Sequence, residues 1–225
     1  MKATLERRIT ISVADTDVSG LVVAPQSARA CYVLSHDARV GMQYSVLATV
    51  AKGLARRNVA TLRFQFPFME EGRRNPDSPK RALATTRAAV SEAARQVPGV
   101  PLIAGGKSYG ARMTSVAQAE APLENVRGLA FLGFQLHLPG EPSGDRGEHL
   151  SSIKVPMLFL LGTRDDVAEP EHLVPLVGRL GPLATLKQFD GADDSFHLPA
   201  HSGSKHIDVM TELLDVLAAW IDRVI

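Results

Sequence analysis

The sequence predicts an α/β fold: a mostly parallel, doubly wound sheet with an antiparallel strand at its N-terminal end. Three observations predict it. Short apolar runs alternate with helix-period segments along all 225 residues, the pattern of a parallel sheet covered by helices on both faces. Two strand-like runs open the chain with turn-forming residues between them. Midway, Gly106-Lys107-Ser108-Tyr109-Gly110 stands between an apolar run and a helix-like segment. A G-x-S-x-G at a strand-to-helix turn raises a serine hydroxyl clear of the sheet edge.

The elements follow in order. Residues 9–13 and 21–24 read as the opening strands, with Asp15, Asp17, Ser19 and Gly20 in the turn of a hairpin. Residues 30–34 read as a strand. Residues 44–55 read as a helix with Val46, Leu47, Val50 and Leu54 on one face. A strand over 59–66 is stopped by Pro67, and an Ala-rich helix over 79–97 has Ser78 available as a cap. Residues 102–104 lead into the Ser108 turn. Strands follow over 128–134, 157–161 and 184–189, with helices over 170–180 and 207–224. Crossovers between the parallel strands should be right-handed. Residues 138–148, rich in Pro, Gly and charge, read as a surface loop or short excursion above the sheet. Neither a domain boundary nor a large lid domain is predicted, so residues 1–225 form one domain.

Bulk properties narrow the function. Hydrophobic residues make up 45% and charged residues 22%, with a formal net charge of +1. A core of useful size can form, and no broad field draws the chain to nucleic acid or to an anionic membrane. Cys31 is the single cysteine, so an internal disulfide is ruled out, and its apolar neighbours predict a small buried hydrophobe. Apolar runs fall short of the roughly 20 residues that cross a bilayer. A cytoplasmic protein acting on a small molecule, as monomer or homodimer and without cofactor, is the default expectation.

The Ser108 turn asks for partners. A serine nucleophile needs a base for its proton, an acid to orient that base, and two N–H donors for the oxyanion. In a chain of this type the order is serine, acid, histidine. Asp165, just past the strand over 157–161, is the expected acid, with Asp166 as its neighbouring alternative. The N–H of Tyr109 is the expected first oxyanion donor, and Ala38, in Ser35-His36-Asp37-Ala38-Arg39, the second. His36 reads as a hydrogen-bonding structural residue. The loop Gly191 to His197 should supply the base, and His197 has the right chain order. A metal hydrolase using His36, Asp37, Asp193, Asp194 and His197 would need a compact ligand motif such as H-E-x-x-H, and the sequence has none.

Longer motifs carry a resemblance. They are Ser35-His36 through Gly41-Met42, Arg63-Phe64-Gln65-Phe66-Pro67-Phe68-Met69-Glu70, Gly105-Gly106-Lys107-Ser108, Phe131-Leu132-Gly133-Phe134, Gly162-Thr163-Arg164-Asp165 and Gly191 to Phe196. In these the chain resembles the dienelactone-hydrolase-related α/β-hydrolases, the group that includes the hydrolase-like domain of a chromatin acetyltransferase-complex subunit. The resemblance spans nearly the whole chain. It implies the α/β-hydrolase fold without a large lid, a serine nucleophile and an esterase-like activity.

The departures are specific. The family pattern after the last strand is Gly-Ala-Asp-His-Ser-Phe, and here Asp194 takes the histidine position; His197 matches a downstream, auxiliary histidine. The family's His-Gly-Ala-Gly loop is His36-Asp37-Ala38-Arg39 here. Tyr109 and Ala111 stand where smaller or different residues are usual. A carboxyl group, with an ordinary pKa of about 3.9 against about 6.5 for imidazole, is a poor proton shuttle near neutrality. Two expectations follow. One is a serine hydrolase of small esters or related acyl compounds that uses Ser108, Asp165 and His197, with His36, Lys107, Asp194 and Phe68 as site-lining candidates. The other is a catalytically impaired hydrolase-fold protein that serves as a binding or scaffold module.

Overall fold

A computed structural model describes residues 6–14, 16–136, 144–168, 170–199 and 206–225. Its centre is an eight-stranded sheet in the order β1-β2-β4-β3-β5-β6-β7-β8. Strands β1 (Glu6–Val13) and β2 (Thr16–Val23) form an antiparallel hairpin in which Val13 faces Thr16. The turn is therefore shorter than the sequence predicts. Asp17, Ser19 and Gly20 belong to β2, where the pleat turns Asp17 outward and buries Val18 and Gly20. Glu70 fixes the outward Ser19 through both its N–H, at 3.1 Å, and its hydroxyl, at 2.8 Å. Asp15 lies outside the described residues.

From β3 (Ala30–Ser35) onward the strands β4 (Val59–Phe64), β5 (Leu102–Lys107), β6 (Val126–Leu132), β7 (Met157–Gly162) and β8 (Ala184–Phe189) run parallel. Strand residues alternate between two cores. Cys31 and Val33 face helices α3 (Pro79–Gln96), α4 (Tyr109–Glu120) and α5 (Pro170–Leu180), while Ala30, Tyr32 and Leu34 face α1 (Ser45–Ala55) and α6 (His206–Val224). Burial on both faces is why β3, β4, β5 and β7 read as apolar runs rather than alternating ones, whereas β8, at the sheet edge, is only partly covered. The strand expected over 59–66 ends at Phe64, because Pro67 opens a short helix, α2 (Pro67–Glu70), at its first position. Ser78 precedes α3 but makes no side-chain cap. Gly144–Ser152 forms a 3₁₀ segment, and residues 138–143 of the expected surface loop lie outside the described residues.

The strand order fixes where chemistry can occur. The chain leaves β3 in one direction to β4, then returns to place β5 on the other side of β3. The carboxyl ends of β3 and β5 thus flank the point where the winding reverses, the usual ligand crevice of such sheets. Ser108 follows β5 there, and the loop containing His36 to Arg39 follows β3.

Candidate active site

The Ser108 turn is held by its neighbours. Ser35, at the end of β3, donates its hydroxyl to the Gly105 carbonyl at 2.6 Å. A β-carbon on Gly106 would stand 2.0 Å from Ser35 Oγ, and one on Gly110 would stand 2.4 Å from the same atom. Both flanking glycines are therefore demanded by the close passage of β3, and the β5-to-α4 connection can turn within one residue. That residue is Ser108, at φ 46° and ψ −107°, a conformation costing about 1–3 kcal/mol for a residue with a β-carbon. Its N–H donates to the Gly133 carbonyl at 3.0 Å, which ties the turn to the end of β6.

Ser108 lines a cavity of about 450 Å³. Asp37, Ala38 and Arg39 line it from the loop after β3, Pro76, Asp77 and Pro79 from the approach to α3, and Tyr109, Arg112 and Met113 from α4. Gln135 and Val167 complete it. Ala38 and Tyr109, the expected oxyanion donors, thus share the cavity with Ser108. The Tyr109 N–H is at the first turn of α4, among the donors a helix leaves unused. An Asp37 carboxylate oxygen accepts the Arg39 N–H at 2.7 Å, and this turn shapes the loop around Ala38.

Asp165 is buried behind β7. Its Oδ1 accepts the N–H groups of Val167 at 2.9 Å and Ala168 at 2.8 Å. Burial pushes its carboxyl above the ordinary carboxylate value, against those two N–H groups and Lys107; Asp194 adds to the rise. Gly133 gives the distance scale: its β-carbon position, at φ +71°, is 3.0 Å from Asp165 Oδ2 and 4.0 Å from Ser108 Oγ. The nucleophile candidate and the acid candidate therefore face the same small space.

The base loop is built differently. Asp194 occupies the position of the family histidine. Its Oδ2 accepts Lys107 Nζ at 3.1 Å and Arg39 at 3.5 Å, and its carbonyl accepts Lys107 Nζ at 2.6 Å. Burial alone would raise its pKa, but Lys107, the Ser195 hydroxyl and Arg39 hold it below the ordinary value. The structure does not bring His197 to the cavity lining. Asp193 Oδ1 captures the N–H groups of Ser195, at 2.9 Å, and His197, at 2.8 Å. Phe196, at φ 60°, turns into the core against Phe189. The His197 ring is left half-exposed beside Asp193, with Nδ1 3.7 Å from the carboxylate.

Three other lining candidates are placed behind the cavity rather than on it. Lys107 is buried by its pairing with Asp194. Phe68 is fully buried and packs edge-on to Tyr109, with ring centres 6.0 Å apart. His36 donates from Nδ1 to the Asp37 carbonyl at 2.7 Å and accepts the Phe66 N–H on Nε2 at 2.9 Å. Burial drives its pKa down to about 4, so it is a neutral brace between the loops after β3 and β4. Sequence reasoning missed Arg112, Met113, Gln135 and Pro76. Arg112 and Met113 could have been found by helix spacing, since they follow Ser108 by about one turn.

A family model described as an alpha/beta hydrolase domain matches residues 28–222. The chain belongs to the alpha/beta hydrolase family. The fold agrees with solved relatives. A dienelactone hydrolase from Anabaena variabilis matches at a TM-score of 0.79 and 19% identity, over 98% of each chain. An α/β serine hydrolase without a lid from Xanthomonas campestris matches at 0.74 and 19%, over 97% of this chain and 96% of that one. The esterase domain of a Rhodothermus marinus protein matches at 0.73 and 15%, over 97% and 98%. Within this hydrolase fold, none of the helices among the described residues is long and apolar enough to cross a membrane.

Proposed function

We propose that the protein is a serine hydrolase of small esters or related acyl compounds, with Ser108 as nucleophile, Asp165 as the acidic partner, and the Ala38 and Tyr109 N–H groups as oxyanion donors. The observation that carries the reading is the strained Ser108 turn opening on a 450 Å³ cavity with the Asp165 carboxylate across Gly133. Relatives of the same fold named as a dienelactone hydrolase and an esterase add to it, as do the sequence motifs shared with the group containing the chromatin-complex subunit. Turnover is slow in this reading. Loss of the triad histidine can cost on the order of a million-fold in a serine hydrolase, and Asp194 brings a carboxylate fixed to Lys107 in its place.

The Lys107–Asp194–Arg39 cluster also favours a second reading, in which the fold binds an acyl-like ligand and has lost efficient chemistry. One assay separates the two. Short-chain aryl esters are offered to the native protein and to Ser108→Ala, alongside a fluorophosphonate that labels activated serines. The hydrolase reading expects hydrolysis and labelling that disappear in Ser108→Ala. Equal rates in the two proteins would leave the binding module.

A further inference from the structure

The loop from His36 to Met42 carries Ala38, and both of its ends are fastened by residues that are not among those lining the cavity. At the near end His36 Nε2 accepts the Phe66 N–H at 2.9 Å. At the far end Met42 is held by both of its backbone groups. Its N–H donates to Gln65 Oε1 at 2.9 Å, and its carbonyl accepts Arg63 Nη1 at 2.9 Å. Arg63 and Gln65 stand two apart, the spacing that puts both on one side of a strand, and Met42 is where both arrive. Gly41 leaves room for the amide: a β-carbon there would stand 2.9 Å from Gln65 Oε1 and 3.0 Å from Nε2. The two anchors are themselves fixed from outside the site. Arg63, buried within the sheet, pairs with Glu6 at the start of β1, and the Gln65 N–H donates to the Ser19 carbonyl of β2 at 2.9 Å. Support for the loop therefore runs back into the N-terminal hairpin.

We propose that Gln65 and Arg63 are positioning residues for the oxyanion loop: by holding Met42 they set where the Ala38 N–H stands relative to Ser108. This rests on the reading of Ser108 as nucleophile and Ala38 as oxyanion donor. A donor stabilises a developing oxyanion only if it is already in place when the charge forms. The Asp37–Arg39 turn shapes the loop from within. The link from Arg39 to Asp194, at 3.5 Å from a side chain 68% exposed, is a screened pair that contributes little. Placement over the cavity thus comes from the two ends. Releasing Met42 lets the Ala38 N–H drift, and a displacement of about 1 Å can cost on the order of 100-fold in rate. The oxyanion exists only in the transition state, so the loss falls on kcat and leaves KM as it was.

The test is hydrolysis of p-nitrophenyl acetate by the native protein, Gln65→Asn and Gln65→Glu, each corrected for the rate of its Ser108→Ala counterpart. Asparagine withdraws the acceptor by one methylene, whereas glutamate keeps an oxygen at the same reach. Rates are counted per serine labelled by fluorophosphonate at completion, so a partly unfolded variant does not mimic the effect. The proposal expects kcat to fall about 10- to 100-fold in Gln65→Asn with KM unchanged, and Gln65→Glu to recover most of the loss. A Gln65→Asn protein with native kcat, one whose loss lies in KM, or a Gln65→Glu protein as slow as Gln65→Asn would overturn it and leave Ser108 as nucleophile. Absence of any Ser108-dependent rate in the native protein would overturn both. Amide hydrogen exchange in the native protein needs no variant: the Met42 N–H should exchange as slowly as the buried amides of β4. Rapid exchange there would overturn the clamp even if Gln65→Asn fails to fold.

Discussion

The two halves of the site have been treated differently. On the nucleophile half, β5, the Ser108 turn, Gly133 and Asp165 satisfy every local demand of a serine elbow: glycines where β3 passes, a left-handed serine, and a carboxylate held by two N–H groups. On the activating half, the loops after β3 and β8 carry Asp37, Arg39 and Asp194 where the resembling family has two glycines and a histidine. These residues pair with one another and with Lys107 instead of serving the hydroxyl. The contrast shows that an elbow can keep its geometry through close packing against the end of β3. The proton-moving apparatus depends on single side chains and can be exchanged without disturbing the sheet.

Experiments can sharpen that contrast, beginning with the largest effect. Ser108→Ala should take ester hydrolysis and fluorophosphonate labelling to background while leaving the circular dichroism spectrum unchanged; residual labelling by mass spectrometry would place the nucleophile elsewhere. Gly106→Ala should destabilise by about 3 kcal/mol or more in urea unfolding, because the new methyl meets Ser35 atoms that cannot yield without moving β3. A change within 0.5 kcal/mol would mean the turn is looser than it looks.

His36 makes a pH prediction. Its folded pKa of about 4 lies below the ordinary value of about 6.5. As pH falls from 6.5 towards 4, the unfolded chain takes a proton that the native ring refuses. Stability should fall across that window by about 3 kcal/mol, and His36→Gln should flatten the dependence in urea titrations repeated at each pH. An unchanged slope would assign the acid sensitivity to other groups. The smallest effect concerns Tyr109, whose hydroxyl is buried without a hydrogen-bond partner among the described residues. Tyr109→Phe should be neutral or stabilise by up to about 1 kcal/mol, and a clear loss would reveal a bond to the hydroxyl.

Much of the fold was legible because parallel strands buried on both faces announce themselves as apolar runs, and G-x-S-x-G marks one turn unambiguously once a strand precedes it. Errors arose where a rule had two outcomes. Asp17, Ser19 and Gly20 are turn formers that here ride the outer and inner faces of β2. Pro67 ends a strand by starting a helix. In the candidate site, chain order pointed to Ser108 and Asp165, which the fold brings together beside Gly133, and to Asp194 at the position of the family histidine. It could not foresee that Asp193 would bind two backbone N–H groups and turn His197 outward. Nor could it foresee that Lys107 would run back to meet Asp194, since that pairing joins the end of β5 to the loop after β8.

We propose that the missing imidazole, more than the altered oxyanion loop, holds back the Ser108 elbow. Asp194→His tests it most directly, with kcat/KM for a short aryl ester measured against the native protein and against the Asp194→His/Ser108→Ala double variant. The account predicts a gain of about 100-fold or more, abolished in the double variant, at some cost in stability because the buried Lys107 loses its carboxylate partner. A folded Asp194→His protein with no Ser108-dependent gain would contradict it.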